Sequence, residues 1–221
     1  IIDNQILKKD LNSIYASGWF SGVQVKSEDG PLGVRLIINV VPNPILEKVE
    51  LKQEQTIIPK KLVDEFFASS YGTTLNLNNL QQKINLIRKW YEDKGYSLAR
   101  ITGPERITED GRVILNVFEG TVSDIELRFI GADGEAFVEG KDGKKIPRKG
   151  KTKDWVIKRE LKTKPGSIFN RKVLEEDIKR LYALSLFDDV KVSLGPDSQN
   201  PSQVILTLDL SEQRTGSLTG G

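Results

Sequence analysis

A helix-loop-strand pattern that recurs along the chain is the feature that most limits what it can fold into. Its third copy spans residues 174–192, where apolar residues at helical spacing precede an aromatic residue and then alternate as in a half-buried strand. A copy near the start matches it at one constant offset, and a middle copy matches with offsets of 94 at its leucine end and 91 at its aromatic end. The difference is nearly one helical turn, so the apolar stripe keeps its face. We therefore expect one module in three copies, with Tyr15, Tyr91 and Tyr182 in equivalent places.

The composition excludes several kinds of chemistry. The 221 residues carry a net charge of +2 and include no Cys and no His. Disulfides and thiolate catalysis are therefore excluded, and the commonest general base and metal ligand is missing. A nearly neutral chain also argues against a dedicated nucleic-acid binder, which would need a strongly basic face. No apolar run approaches the roughly 18 residues that a membrane-spanning helix needs.

The order of predicted elements is β-α-α-β-β in each complete copy. This order predicts an α+β fold in which each three-stranded mixed sheet is covered on one face by two helices. We expect a partial module at 1–43, a complete module at 44–120 and another at 121–212. The partial module lacks a first strand and a first helix. The expected inward set of its last strand is Val34, Leu36, Ile38 and Val40.

A shared motif precedes each of the two later long helices. It reads Gly72-Thr-Thr-Leu-Asn76 in the middle module and Gly166-Ser-Ile-Phe-Asn170 in the last. Asn76 and Asn170 stand where a helix N-cap is wanted, and asparagine is among the best capping residues.

Two junctions separate the predicted modules. Pro42, Asn43 and Pro44 form the first, where proline should restrict the backbone. Gly120 and Thr121 form the second, which should bend more readily because glycine is permissive. Both are candidate interdomain hinges.

An insertion at 132–153 interrupts the last module, and its bases outnumber its acids. It is either a surface loop or a specific contact element. Its candidate contact residues are Lys144, Lys145, Arg148 and Lys149. Residues 213–221 have no apolar face to bury, and the chain starts at Ile inside a module, so we expect a piece of a longer protein.

Each candidate pattern of catalytic residues in the sequence has a simpler structural explanation. Asp188 and Asp189 are adjacent on a predicted strand and point to opposite faces, so they are poorly placed for paired acid and base work. Residues 175–177 are acidic but lie near the start of a helix, where acids complement its dipole. Trp19, Trp90 and Trp155 lie on apolar faces, which favours core packing over ligand stacking. We expect no enzyme activity.

Small open sheets have edge strands with unpaired N–H and C=O groups. The strand after the shared aromatic residue is the expected edge, at 21–26, 97–101 and 188–194. Such an edge can accept an extended peptide by β-augmentation, or it can simply be tolerated and protected by charges. The candidate peptide-binding positions are Ser97, Leu98, Ala99, Arg100, Ile101, Asp188, Val190, Lys191 and Val192.

Tandem modules of this size and order resemble polypeptide-transport-associated (POTRA) domains. The resemblance rests on the Gly-[Ser/Thr]-x-[Phe/Leu]-Asn motif before the long helix, on Leu-Tyr followed by an aromatic residue and Val, and on Glu119-Gly120 closing a module. Residues 212–221 resemble the lead-in to the first barrel strand of BamA-type outer-membrane insertases. The long insertion suggests the cyanobacterial or chloroplast-envelope branch.

The resemblance implies the periplasmic, or intermembrane-space, arm of an outer-membrane β-barrel. The arm would hold unfolded outer-membrane proteins or preproteins by strand addition, dock accessory assembly subunits and continue into a C-terminal barrel. It implies no cofactor and no nucleic-acid partner, and the basic insertion could touch a membrane surface. Two other hypotheses stay open: a rigid scaffold that binds no client, and the arm of a two-partner secretion transporter.

Overall fold

The computed structural model describes residues 4–31, 33–53 and 56–213. They group into a first compact unit, residues 1–90 with 100–117, and a second compact unit, residues 91–99 with 118–221. The predicted module bounds stay predictions, and the barrel lead-in at 214–221 lies outside the described residues. In chain order the elements are α1 (Asn4–Ala16), β1 (Phe20–Gly30), β2 (Gly33–Pro42), β3 (Lys48–Leu51), α2 (Lys60–Phe67), α3 (Leu77–Asp93), β4 (Arg100–Ile107), β5 (Arg112–Phe118), β6 (Thr121–Phe129), β7 (Phe137–Glu139), β8 (Lys145–Pro147), α4 (Asp154–Glu160), α5 (Arg171–Ala183), β9 (Phe187–Pro196) and β10 (Gln203–Glu212).

Two three-stranded sheets share one topology. One sheet has the order β3-β5-β4, with β3 parallel to β5. The other has the order β6-β10-β9, with β10 parallel to β6 and antiparallel to β9. The predicted α+β class and the β-α-α-β-β order are confirmed.

The second compact unit has its core between one face of its sheet and two helices. The helices contribute the apolar residues that their 3.6-residue spacing places on one stripe, and β10 contributes every second residue. Fully burying a side chain of this kind stabilises the fold by about 1.5–3 kcal/mol. The buried cluster includes Ile157, Leu161, Leu174, Leu181, Phe187, Leu206, Leu208 and Leu210.

Both predicted helix caps are confirmed. Asn170 Oδ1 accepts hydrogen bonds from the N–H groups of Lys172 and Val173, at 3.0 and 3.3 Å. Asn76 Oδ1 does the same for residues 78 and 79, at 2.9 and 3.0 Å. Each asparagine therefore satisfies two of the N–H groups that a helix start leaves unpaired.

The hairpin of β1 and β2 corrects one expectation about burial. The two strands pair antiparallel, and α1 contacts β1. The expected inward set of β2, Val34, Leu36, Ile38 and Val40, is wrong, because these side chains are 36–52% exposed. In the two three-stranded sheets a parallel strand pairs with the last strand of the module. Within the described residues no such strand pairs with β2.

A buried carboxylate ties the segment before α5 to that helix. Asp177 is fully buried and accepts hydrogen bonds from the N–H groups of Lys162 and Thr163, at 2.7 and 2.9 Å, and from Thr163 Oγ1 at 2.6 Å. Arg180 pairs with it from the next turn of the helix. The expectation that residues 175–177 act only through the helix dipole is therefore wrong for Asp177, whose charge is held inside by four donors.

Two of the three tryptophans lie outside the core. Trp155 is 62% exposed, and the guanidinium of Arg159 lies 5.2 Å from its ring centroid in a cation–π contact. Trp19 is also largely exposed. The expectation of core packing is wrong for both. Helix α4 has only seven residues and buries Ile157 instead.

Candidate functional site

Strand β9 offers the longest regular edge of the two three-stranded sheets. This ten-residue strand pairs with β10 on one side. Within the described residues no strand pairs with the other side, which we call the outer side of β9. Val190 and Val192 face the helix-covered side of the sheet, whereas Lys191 is exposed and lies 3.6 Å from Asp189. Asp188 is exposed where the register of the strand pair shifts.

Strand β4 begins later than the edge strand predicted at 97–101. It begins at Arg100, so the expected strand start at Ser97 is wrong, although Arg100 and Ile101 do open a strand at a sheet edge. Residues 97–99 form a turn in which the Ala99 N–H donates to the carbonyl of Tyr96 at 3.0 Å. Leu98 packs against the core of the second compact unit, which is why this segment leaves the strand path.

A side chain from the preceding long helix occupies the start of each edge strand. Tyr182 Oη accepts a hydrogen bond from the N–H of Val190 at 3.1 Å. Tyr15 Oη accepts from the N–H of Val23 at 3.1 Å and donates to its carbonyl at 3.4 Å. In the middle module Arg88 Nη2 donates to the carbonyl of Ile101 at 2.6 Å.

Arg88, rather than Tyr91, therefore takes the place of Tyr15 and Tyr182. The expected equivalence of Tyr91 is wrong. The offset of 94 that aligns the leucine ends also aligns Tyr182 with Arg88, whereas Tyr91 lies nearly one turn further along α3. Tyr91 is buried, donates a hydrogen bond to the buried carboxylate of Glu119 and packs edge-to-face on Tyr96 at 6.1 Å.

Polar groups connect the end of α1 to the start of α3, and we call this set of hydrogen bonds the joint. Three carbonyls at residues 16–18 have no partner further along their own helix and accept hydrogen bonds from residues 76–78 instead. Gly18 has a φ of +78°, which turns the chain out of the helix at this point. The bonds are Asn76 Nδ2 to Ser17 O at 2.9 Å, Leu77 N to Gly18 O at 2.9 Å and Asn78 Nδ2 to Ala16 O at 2.8 Å.

The same joint recurs in the second compact unit. Residues 93–95 end α3 and the turn after it, and residues 170–172 begin α5. Gly95 repeats the positive φ, at +96°. The bonds are Asn170 Nδ2 to Lys94 O at 3.0 Å, Arg171 N to Gly95 O at 2.8 Å and Lys172 Nζ to Asp93 O at 2.7 Å.

The predicted hinge residues make contacts of their own. Asn43 is buried and donates to the carbonyls of Gly18 and Leu75 at 2.8 and 2.9 Å, between Pro42 and Pro44. Gly120 lies against the side chain of Leu98, and Thr121 pairs with Gln203. These contacts weigh against easy bending at Gly120, whose flexibility stays a prediction.

The insertion contains a short hairpin of β7 and β8, which the sequence did not predict. Arg148 is not a free contact residue, because its guanidinium pairs with Asp133 at 2.8 Å. Lys144, Lys145 and Lys149 are exposed. At the end of the insertion the N–H groups of residues 151 and 152 donate to Glu212 at 2.9 and 2.7 Å. Burial raises the pKa of Glu212, but these hydrogen bonds outweigh burial and bring the pKa below its ordinary value.

The described residues offer neither a metal cluster nor a membrane-spanning helix. Across residues 4–31, 33–53 and 56–213, no cluster of three or more acidic, His or Cys side chains could hold a metal ion. In that same part of the chain, no helix combines the length and apolarity needed to span a bilayer. The edge of β9 provides backbone groups for hydrogen bonding.

Comparisons with known proteins agree with this fold. The POTRA model described as a surface antigen variable number repeat matches residues 144–213, and the ShlB-type POTRA domain model matches residues 45–120. The N-terminal domain of Omp85 from Thermosynechococcus elongatus is 38% identical, with a TM-score of 0.85 over 97% of this chain and 86% of that chain. POTRA1-3 of the periplasmic domain of Omp85 from Anabaena is 39% identical, with a TM-score of 0.80 over 95% and 81% of the two chains.

Curated relatives extend the likeness to chloroplasts and to other bacteria. Outer envelope protein 80 of Oryza sativa subsp. japonica is 26% identical over 215 residues, which is 97% of this chain and 30% of the relative. The outer membrane protein assembly factor BamA of Nitratidesulfovibrio vulgaris is 24% identical over 235 residues, covering 100% of this chain and 28% of the relative. The chain thus spans less than a third of the length of these relatives.

The fold, the repeated joint and both model matches define a protein built from tandem POTRA domains. The similarity to the cyanobacterial structures covers most of both chains at 38% and 39% identity. The chain belongs to the Omp85 family, within its POTRA region. The expected cyanobacterial and chloroplast branch is confirmed, and the relatives are proteins of the outer membrane or outer envelope.

Proposed function

We propose that this chain is the periplasmic arm of an outer-membrane protein assembly or translocation pore. In this role it holds unfolded β-barrel proteins or preproteins by adding their extended segments to β9. The observation that carries the proposal is the outer side of β9, a ten-residue edge that no strand of the described residues covers. The family and the name of the assembly factor BamA support an assembly role.

Backbone pairing suits a client that has no fixed sequence. An added strand gains affinity from main-chain hydrogen bonds, and side chains contribute only where they meet neighbouring pockets. Each such bond contributes about 0.5–1.5 kcal/mol net. A short added strand would therefore bind weakly and release readily, which a transport arm requires.

A second candidate function is a scaffold that positions partner subunits without holding clients. The repeated joint favours it, because polar side chains tie the ends of α1 and α3 to the helices that follow. In either role accessory assembly subunits are proposed partners, and residues 213–221 are proposed to lead into a barrel. Exposed Lys144, Lys145 and Lys149 would add about 1 kcal/mol each beside an anionic membrane surface.

The test is a titration of the 15N-labelled chain with a synthetic peptide of alternating apolar and polar residues taken from an outer-membrane barrel strand. We expect amide shifts along β9. Val192→Pro removes an N–H from the outer side of the strand and should abolish binding. Proline at Val190 or Leu98 is a poorer test, because the Val190 N–H already bonds Tyr182 and Leu98 lies in a turn.

Val192→Ile is the matched control, since it keeps a β-branched side chain and the N–H. It should bind the peptide as the unsubstituted chain does. A denaturation curve checks that Val192→Pro folds, because proline is tolerated at an edge strand. Shifts confined to other surfaces, or equal affinity for the proline variant, would reject the client-binding proposal and favour the scaffold.

A further inference from the structure

The hydroxyl of Tyr182 lies on the outer side of β9. The backbone N–H groups of a strand lie in the plane of the sheet and alternate between its two sides. Since the N–H of Val190 points at Tyr182 Oη, at 3.1 Å, it does not point at β10. The same hydroxyl is 3.3 Å from Asp189 Oδ1, to which it donates, so its own proton is engaged as well.

The arrangement recurs, which sets it apart from a chance contact. Tyr15 stands to Val23 as Tyr182 stands to Val190, with the same sequence separation of eight residues. In the middle module Arg88 donates to the carbonyl of Ile101 from the equivalent helical position. The tyrosine hydroxyls and the Arg88 guanidinium thus have the same role. Each forms a hydrogen bond with a backbone group near the start of an edge strand.

Because the backbone N–H and C=O groups of successive residues alternate between the two sides of a strand, only some of those of β9 remain available to a partner. If Val190 presents its N–H outward, so do Val192 and Leu194, whereas Lys191 and Ser193 face β10. The strand ends at Pro196, which has no N–H. The open stretch therefore runs from Val192 to Leu194. Pairs of N–H and C=O groups at this two-residue spacing match the backbone of another extended chain.

We infer that Tyr182 sets the register in which an extended polypeptide pairs with β9. Its hydroxyl occupies the N–H of Val190 and leaves the backbone groups of Val192 and Leu194 as the pairing positions. The inference rests on the proposed client binding and adds to it the place where pairing begins. Leu194 is 38% exposed, so it also offers an apolar contact to a client side chain on the same face.

Tyr182→Phe tests the inference because it removes the hydroxyl and keeps the ring. Its first readout is hydrogen exchange without any peptide. Exchange at the Val190 amide should become at least tenfold faster in the variant, while exchange at Lys191 and Ser193 should stay unchanged. Tyr71→Phe is the matched control, since the Tyr71 hydroxyl bonds Asp64 and the backbone of Val49, neither of which belongs to β9.

The second readout is the register of a bound barrel-strand peptide that carries a nitroxide label at one end. In Tyr182→Phe the freed Val190 should let the peptide pair two residues nearer the start of β9. The paramagnetic broadening should then move by about 7 Å along the strand. In the unsubstituted chain and in Tyr71→Phe it should centre on Val192 and Leu194.

The possible failures separate the two proposals. If the peptide does not bind β9 of the unsubstituted chain, client binding is rejected and the register claim falls with it. If the peptide binds but its register is the same in Tyr182→Phe, only the role of Tyr182 is rejected. Unchanged exchange at Val190 in the variant would also reject that role.

Discussion

Replacing the buried Asp177 should destabilise the second compact unit more than replacing any acidic residue whose carboxylate is solvent-exposed. Asp177→Ala removes the acceptor of three hydrogen bonds and the partner of Arg180. The N–H and hydroxyl of Thr163 are buried, and each buried donor left without a partner costs about 1–3 kcal/mol. Breaking a buried ion pair costs about 3–5 kcal/mol, and this overlaps with the hydrogen bonds because one carboxylate serves both.

The expected total is therefore about 3–5 kcal/mol rather than the sum of the separate contributions. Arg180 is 31% exposed and can turn to solvent, which favours the lower end of that range. Native-state hydrogen exchange is the suitable assay. Amides of β10 report the second compact unit and amides of β3 and β5 report the first, so a two-state assumption for the whole chain is not needed.

The adjacent acid provides the control. Glu176 lies on the surface and pairs with Lys179 at 2.7 Å, so Glu176→Ala should leave the β10 amides as protected as before. Thr163→Val removes one donor and should have a smaller effect than Asp177→Ala. A loss of protection of about 0.5 kcal/mol or less in Asp177→Ala would refute the reasoning, because that is the size expected for an ordinary surface change.

Three further changes test the core, the insertion and the joint. Phe187→Ala should cost about 3–5 kcal/mol in urea denaturation because Phe187 is 2% exposed, whereas Leu186→Ala should cost much less; equal losses would contradict the burial argument. The pKa of Glu212 is lowered on folding, so its stabilising contribution is present above its ordinary value of 4.5 and is lost as the pH falls through the folded pKa. Glu212→Gln should therefore flatten the acid side of the stability curve, and an unchanged slope below pH 4.5 would count against the contact. Asn170→Asp keeps the cap acceptor but loses the donor to Lys94, so thermal denaturation should show a loss of about 1 kcal/mol, although the two residues cap equally well elsewhere.

Local patterns predicted the repeated architecture well. Apolar spacing gave the helices and strands, and the motif before each long helix gave Asn76 and Asn170 their capping role. These features depend on neighbours within a few residues, which a sequence displays directly. The predicted edge position of β9 followed from the element order alone.

Features that depend on distant partners were missed. Asp177 resembles any acid near the start of a helix, and only the donors at residues 162 and 163 explain its burial. Tyr91 was misplaced because three additional residues preserve the face of a helix, so the aromatic match looked as good as the true one. Burial of β2 was expected from its alternation, which does not reveal whether other elements pack against that face of the strand. One signal was available for Tyr182: a tyrosine at a helix end beside a strand needs a polar partner for its hydroxyl.

The joint at Asn76 and Asn170 bears on how the number of POTRA domains in a chain can change over time. One carboxamide closes the end of the preceding helix with its nitrogen and opens the next helix with its oxygen. A gene duplication or deletion that adds or removes a whole module would leave a matching helix end and helix start on the two sides of the altered position. The number of POTRA domains can therefore change in whole steps, whereas a change of this single amide would disturb two helices at once.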